Sequence, residues 1–348
     1  MSTDKRTALV AGAAGIIGDA TIRDLTEHGW RARALGRNKV DGFDTISVDL
    51  SDAEATHAAL AAAADTTHVF YSALAPDDNL SIEAERNGRM LGHLIDALEA
   101  AGAPLARVII HQGFKIYGIH LGAKVRTPAR EADPPHMPPN LYQAQEAQLK
   151  ARSDKASWDY VALRPDLVVG DVYGNPMNIA LVIGVYAEIS RALGIPLRFP
   201  GNDSAYRQLV QACDSRLLAH AARWAATEAP SGEAYNVTNV DTFRWDRIFE
   251  DVAAHLGLEL AHPVPLTLTE HMADKASLWR ELAEQHDLIE PDLNKLVGWG
   301  FGDFIFNTET DVVSDTNKIH EAGFTERMDS SKSLLAAIDR LKARRVIP

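Results

Sequence analysis

Thr7-Ala8-Leu9-Val10-Ala11 runs directly into Gly12-Ala13-Ala14-Gly15-Ile16-Ile17-Gly18. An apolar strand, a three-glycine turn and a helix that Gly29 closes are the parts of a dinucleotide-binding fingerprint. The glycines serve three physical ends, namely a tight turn, close approach of backbone to a pyrophosphate, and close packing of the helix, whose N-terminus faces the phosphates. Three glycines alone would be weak evidence. The strand before them and a second strand one helix later give them their meaning.

Working outward, short apolar or β-branched runs at Thr7 to Ala11, Arg33 to Leu35, Thr45 to Val48, His68 to Ser72, Val108 to His111 and Tyr160 to Leu163 alternate with helical patterns. That alternation predicts an α/β protein with a doubly wound parallel sheet, helices on both faces. Ser51-Asp52-Ala53-Glu54 reads as a capping box opening an alanine-rich helix through Ala64. After Arg164-Pro165 the pattern changes to a loop with Gly170, Gly174 and Pro176, then an apolar helix from Ile179 to Leu193. Glu233 to Val237 returns as a strand and Phe243 to Leu256 as a helix stopped by Gly257. We therefore expect a Rossmann core over 1–168, with 205–240 returning to it, and a smaller, mostly helical substrate lobe over 169–204 and 241–348.

The chain has 348 residues, enough for a large core and a second lobe. Its net charge of −13, with acidic residues dispersed, disfavours nucleic acid and anionic membrane surfaces. Cys213 is the single cysteine, so no intramolecular disulfide can form; a small buried side chain in a reducing compartment is expected. The segment from Met1 into the first apolar run resembles a leader, but glycines interrupt it at once and it reads as a strand. The apolar stretch Ile179 to Ala187 is too short for the ~20 residues that span a bilayer. A soluble, cytoplasmic protein is the expectation.

Carboxyl ends of parallel strands are where such sheets bind ligands. The second strand ends at Gly36-Arg37-Asn38, with a cation where an acid would grip a ribose 2′-hydroxyl, so NADP(H) is expected over NAD(H). Asp49 and Leu50 end the third strand, facing the adenine, and Ser72 and Ala73 end the fourth, lining the cofactor. Hydride transfer leaves charge on a carbonyl oxygen and calls for a donor there. Tyr142, opening a helix that runs through Lys150, is the candidate, with Lys115 the cation that supports it. Where related chemistry uses a lysine four residues after the tyrosine, this chain has Glu146, and no tyrosine has a lysine at that spacing. Metal motifs and Gly-x-Ser-x-Gly are absent from the sequence, so no metal is expected. His111 reads as a structural histidine.

Four segments bring a family into view: Gln112-Gly113-Phe114-Lys115-Ile116-Tyr117; Asn140-Leu141-Tyr142; Leu163-Arg164-Pro165-Asp166-Leu167-Val168-Val169-Gly170 through Ile195-Pro196-Leu197-Arg198-Phe199-Pro200-Gly201; and Asn317-Lys318 with Gly323-Phe324. Along nearly its whole length the chain resembles the progesterone 5β-reductase and iridoid synthase-like enzymes, atypical extended short-chain dehydrogenases/reductases. The resemblance implies Lys115 and Tyr142 as the catalytic pair. It also implies cofactor contacts at Arg37, Gln112, Val168 and Met177, and substrate-side positions at Leu74, Phe114 and Met177. The implied chemistry is NADPH-dependent 1,4-reduction of an activated C=C bond in a small molecule, by a homodimer. Leu74 stands where the family often has tryptophan, Gln143 where a second tyrosine follows, Phe114 where threonine precedes the lysine, and Thr325-Glu326-Arg327 follow Phe324. A wider or more polar pocket follows from these departures. A carbonyl reductase or sugar-nucleotide-type dehydrogenase, and a non-catalytic NADP-sensing protein, remain open as alternatives.

Overall fold

A computed structural model describes residues 6–122 and 125–348. The leader-like start, Met1 to Lys5, lies outside the described residues. The chain divides into two compact units, residues 1–166, 215–237 and 314–326 in the first and 167–214, 238–313 and 327–348 in the second. Against the expected division, residues 167–168, 205–214 and 238–240 cluster with the second unit, and 314–326 with the first.

The first unit is built on β1 (Thr7–Ala11), β2 (Arg31–Gly36), β3 (Thr45–Ser47), β4 (His68–Tyr71), β5 (Arg107–His111) and β6 (Asp159–Pro165). A later strand, Glu233–Val237, completes a seven-stranded sheet. Its order is β3-β2-β1-β4-β5-β6 and then the later strand, every pairing parallel. All five residues of β1 are buried, which is why that strand reads as a continuous apolar run rather than an alternating one. Strand order reverses between β1 and β4, so a crevice opens at the carboxyl ends of those strands. There the chain leaves β1 at Gly12, β4 at Ser72 and β5 at Gln112.

Helices α1 (Ile16–Glu27), α2 (Ala53–Leu60), α3 (Leu80–Ala100) and α4 (Leu141–Ser153) belong to this unit, with the helix Ser215–Thr227 packed on α1. Met90, Leu91, Leu94, Ile95 and Leu98 of α3 join Leu9, Leu35, Val69, Val108 and Leu149 in one core cluster. The start of α2 departs from the expected capping box. Asp52, not Ser51, is the N-cap and accepts from the Ala55 amide at 3.0 Å, while the Ser51 amide is taken by Asp49 Oδ1 at 2.9 Å. With Ser51 drawn into that turn, the helix begins one residue later.

In the second unit β7 (Leu167–Val169) and β8 (Ala212–Asp214) form a two-stranded parallel pair, three residues each and too short to read in sequence. Its helix α5 (Ile179–Ala192) is buried continuously from Ile179 to Ser190, as a helix apolar on all sides must be. Phe199, Phe249, Trp245 and Phe306 meet edge to face, Phe199 and Phe306 with ring centroids 5.2 Å apart. Cys213 is buried. Among the described residues, no helix is long and apolar enough to cross a membrane.

Candidate active site

Gly12 has φ +81°, and a Cβ there would meet Ser72 and Ala73 backbone atoms at 2.8 Å. Only glycine fits both the turn and that approach. Its amide donates to Leu35 O at 2.9 Å, and the Gly15 amide donates to Gly12 O at 2.9 Å, closing the turn ahead of Ile16 and Ile17. A Cβ on Gly18 would lie 2.3 Å from Gly12 O, so α1 packs directly on the loop it follows. The Ser72 hydroxyl donates to Ala11 O at 2.9 Å, tying β4's end to β1's. Unpaired α1 amides thus face a cradle that side chains would fill, as a pyrophosphate site requires.

Arg37, just past β2, is exposed, and its positive charge helps hold the Asp49 carboxyl below the usual carboxylate range; hydrogen bonds from Ser51 are the larger cause. Leu50 is buried, its carbonyl 2.8 Å from His93 Nδ1. The chain after β4 is clamped by Asn87 of α3, whose Nδ2 donates to Ala75 O at 2.8 Å and whose Oδ1 accepts from the Ala75 amide at 2.9 Å. Leu74, in that clamped segment, is half-buried.

Beyond β5, Phe114–Tyr117 form a short 3₁₀ turn that carries Lys115. Asn140 caps α4, accepting from the Tyr142 and Gln143 amides at 2.9 and 3.2 Å, and its Nδ2 donates to Lys115 O at 3.0 Å. One buried side chain therefore starts the helix of Tyr142 and holds the turn of Lys115. A Cβ on Gly113 would sit 3.5 Å from Tyr142 Oη, so the hydroxyl lies against the backbone of that segment. Desolvation pushes the Tyr142 hydroxyl up to about 12, and the charge of Glu83 adds in the same direction. Lys115 Nζ donates to both oxygens of the buried Glu83, at 2.8 and 3.0 Å.

Behind this surface lies a second network. Gln112 Nε2 donates to Glu146 Oε2 at 2.9 Å and to Tyr142 O at 3.3 Å, while Arg164 donates to Gln112 Oε1 at 3.0 Å and Glu146 Oε2 at 2.9 Å. Glu146 thus pairs with Arg164 instead of carrying a lysine. Phe114 is buried edge-on against Tyr117. Val168 lies in β7 opposite Cys213, and Met177 is exposed ahead of α5 with its amide donating to Asn175 Oδ1; both belong to the second unit. His111 is buried, its Nδ1 3.3 Å from Tyr71 O, and desolvation pushes it down to about 4. Among the described residues, no group of three or more acidic, histidine or cysteine side chains is arranged to hold a metal ion.

Glu83, Asn87 and Asn140 have no site role in the sequence reading. Their signal was present: Glu83 and Asn87 fall on the same face of α3 as Met90 and Leu94, so they are polar side chains at core-facing positions.

Comparison with known proteins follows the same lines. The family described as "PRISE-like Rossmann-fold domain" matches residues 17–348. A 3-oxo-Δ4,5-steroid 5β-reductase of Arabidopsis thaliana is 31% identical over 98% of this chain and 93% of its own. An (S)-8-oxocitronellyl enol synthase of Camptotheca acuminata is 30% identical over the same shares. Among solved structures, a UDP-glucose 4-epimerase of Thermotoga maritima superposes with TM-score 0.69 at 16% identity, covering 97% of this chain and 99% of that one. A putative epimerase of Burkholderia cenocepacia gives TM-score 0.69 at 19% identity, over 97% and 98%. At such identity these two speak for the fold alone.

Proposed function

Because the chain belongs to the PRISE-like Rossmann-fold family, an oxidoreductase family, we propose that it reduces activated C=C bonds of small enones with NADPH. The observation that carries this reading is the Tyr142 hydroxyl, lying against the Gly113 backbone and pushed up to about 12 by desolvation.

The residues present fit a dinucleotide. Gly12, Gly15, Ile16, Ile17 and Gly18 would hold the pyrophosphate at the start of α1, Ser72 and Ala73 would line the cofactor, and Gln112 would border it. Arg37, with no hydrogen bond or ion pair of its own among the described residues, would take a 2′-phosphate and select NADP(H) over NAD(H). When bound, the cofactor supplies a hydride to the β-carbon of the enone. Tyr142 donates a hydrogen bond to the carbonyl oxygen, where charge accumulates as the enolate forms. A preorganised donor at such an oxygen contributes about 3 to 4 kcal/mol. Lys115 fixes the segment against which the hydroxyl rests. The α-carbon takes a proton from water to complete the reduction, with the carbonyl left intact. Relatives named for steroid 5β-reduction and for 8-oxocitronellyl enol synthesis support the substrate class.

The proposal extends to a cytoplasmic homodimer, which light scattering on the purified protein would check. Its chemistry is tested with NADPH, NADH and a panel of enones, enals and saturated ketones. NADPH-dependent loss of the enone C=C, abolished in Tyr142→Phe, is expected. Turnover of ketones alone, or turnover untouched by that substitution, would overturn it. Arg37→Glu is expected to weaken NADPH at least about tenfold while leaving NADH nearly unchanged, since 1.4 kcal/mol of lost phosphate contact is a factor of ten.

A further inference from the structure

Asn140 is 4% exposed, and both ends of its side-chain amide are in use. Oδ1 accepts from the Tyr142 and Gln143 amides at 2.9 and 3.2 Å, which opens α4. Nδ2 donates to Lys115 O at 3.0 Å and lies 3.4 Å from His136 Nε2. A carbonyl only accepts, so His136 Nδ1, 2.9 Å from Met137 O, carries a proton, and Nε2 of the neutral ring is left to accept from Asn140. Helix capping alone does not call for this residue. Serine or aspartate would accept the same two amides and ranks with asparagine at that position. What asparagine adds is a pair of donors on the far side, and one of them reaches the turn after β5.

That turn is the surface on which the Tyr142 hydroxyl rests. The Ile116 amide donates to Gly113 O at 2.9 Å and the Gly118 amide to Lys115 O at 3.1 Å, so the backbone from Gly113 to Gly118 is one hydrogen-bonded piece. A Cβ on Gly113 would lie 3.5 Å from Tyr142 Oη and 3.8 Å from its Cε2. The ring therefore lies along one end of a turn whose middle carbonyl is held by Asn140. From the other side, Gln112 Nε2 donates to Tyr142 O at 3.3 Å. Tyr142 is thus held at its amide by Asn140, at its carbonyl by Gln112 and along its ring by Gly113.

We infer that Asn140 is a positioning residue for the reaction: by tying the first turn of α4 to the Gly113–Gly118 turn, it fixes the Tyr142 hydroxyl relative to the backbone it rests on, and so relative to the substrate oxygen. The inference rests on the proposed role of Tyr142. A reacting group misplaced by about 1 Å can cost about a hundredfold in rate. The cap sets where the helix starts, and the donor to Lys115 O sets where that start sits.

The test compares Asn140→Ser, Asn140→Asp and Asn140→Ala with wild type, using NADPH and an enone that wild type reduces, with rates expressed per NADPH-binding site so that unfolded protein does not count. Serine and aspartate keep an acceptor for the Tyr142 and Gln143 amides and lose the donor to Lys115 O, whereas alanine loses both. In the serine and aspartate variants kcat is expected to fall at least about tenfold, while KM for NADPH stays within about twofold because the phosphate loop is untouched. Hydrogen exchange is expected to quicken at the Ile116 and Gly118 amides and to stay slow in the body of α4. A residue that only caps the helix would leave the serine and aspartate variants at wild-type kcat and slow alanine alone. That result, or a fall in kcat matched by an equal rise in KM for NADPH, overturns the inference. Either variant decides it if the other does not fold. Wild type that reduces no enone overturns the proposed function and this role with it; active wild type beside fully active serine and aspartate variants overturns this role alone.

Discussion

Gly18→Ala sets two forces against each other at one atom. Gly18 is the third residue of α1, and by helix propensity alone alanine would stabilise it by about 1 kcal/mol. The added Cβ, however, would lie 2.3 Å from Gly12 O and 2.7 Å from Ala13 Cα and Gly12 C. All three are backbone atoms of the phosphate loop, so no side chain can swing away. Overpacking of this kind costs about 1 to 3 kcal/mol, and a rigid neighbour puts the cost toward the upper end. The net expectation is a loss of about 1 to 2 kcal/mol, a fall of a few degrees in Tm for a chain of this size. Relief requires moving the Gly12–Gly15 turn, which would carry the α1 amides out of line with a bound pyrophosphate. NADPH affinity should therefore fall at least about tenfold. Thermal unfolding with and without NADPH, together with a fluorescence titration, measures both. A raised Tm with unchanged affinity would refute the packing argument.

Two further substitutions probe the site and its base. Glu146→Lys restores a lysine four residues after Tyr142, yet it would put a cation beside the buried Arg164 and strip Gln112 of the nearer of its two acceptors. It is predicted to destabilise by about 3 to 5 kcal/mol and, combined with Lys115→Ala, to recover no NADPH oxidation; recovery would show that position 146 reaches the tyrosine after all. Asp166 is buried with Oδ1 accepting from Ser314 Oγ at 2.8 Å, and burial raises its carboxyl well above the usual range. The folded state therefore holds a proton that the unfolded chain releases near pH 3.9, and stability falls as pH rises above that value. Asp166→Asn is predicted to be the more stable protein at pH 7, the gap growing by up to about 1.4 kcal/mol per pH unit from about pH 4. Chemical denaturation across pH checks this, and a gap that shrinks with rising pH would contradict it.

The sheet was legible because its signals are local. Thr7–Ala11, the three glycines and the turn before Ile16 lie consecutively, and Gly12 and Gly18 are glycines for reasons of backbone approach that sequence context already implies. The tyrosine helix was legible as the run from Tyr142 through Lys150; that Asn140 caps it emerged only in the structure. What sequence could not supply was the meeting of distant segments. Glu83 and Lys115 are 32 positions apart, and Glu146 and Arg164 meet only because β6 returns beside β5. The three-residue strands β7 and β8 gave no periodicity to read, and the units' boundaries fall where those pairings begin. Ser51 misled because Asp52 and Asp49, its neighbours, compete for the same amides.

The most direct measurement of the central claim uses NADPH deuterated at the transferring position with a simple enone. Product carrying deuterium at the β-carbon, with its carbonyl intact and its formation lost in Tyr142→Phe, is the predicted result. Deuterium on the carbonyl carbon of an alcohol product would contradict it.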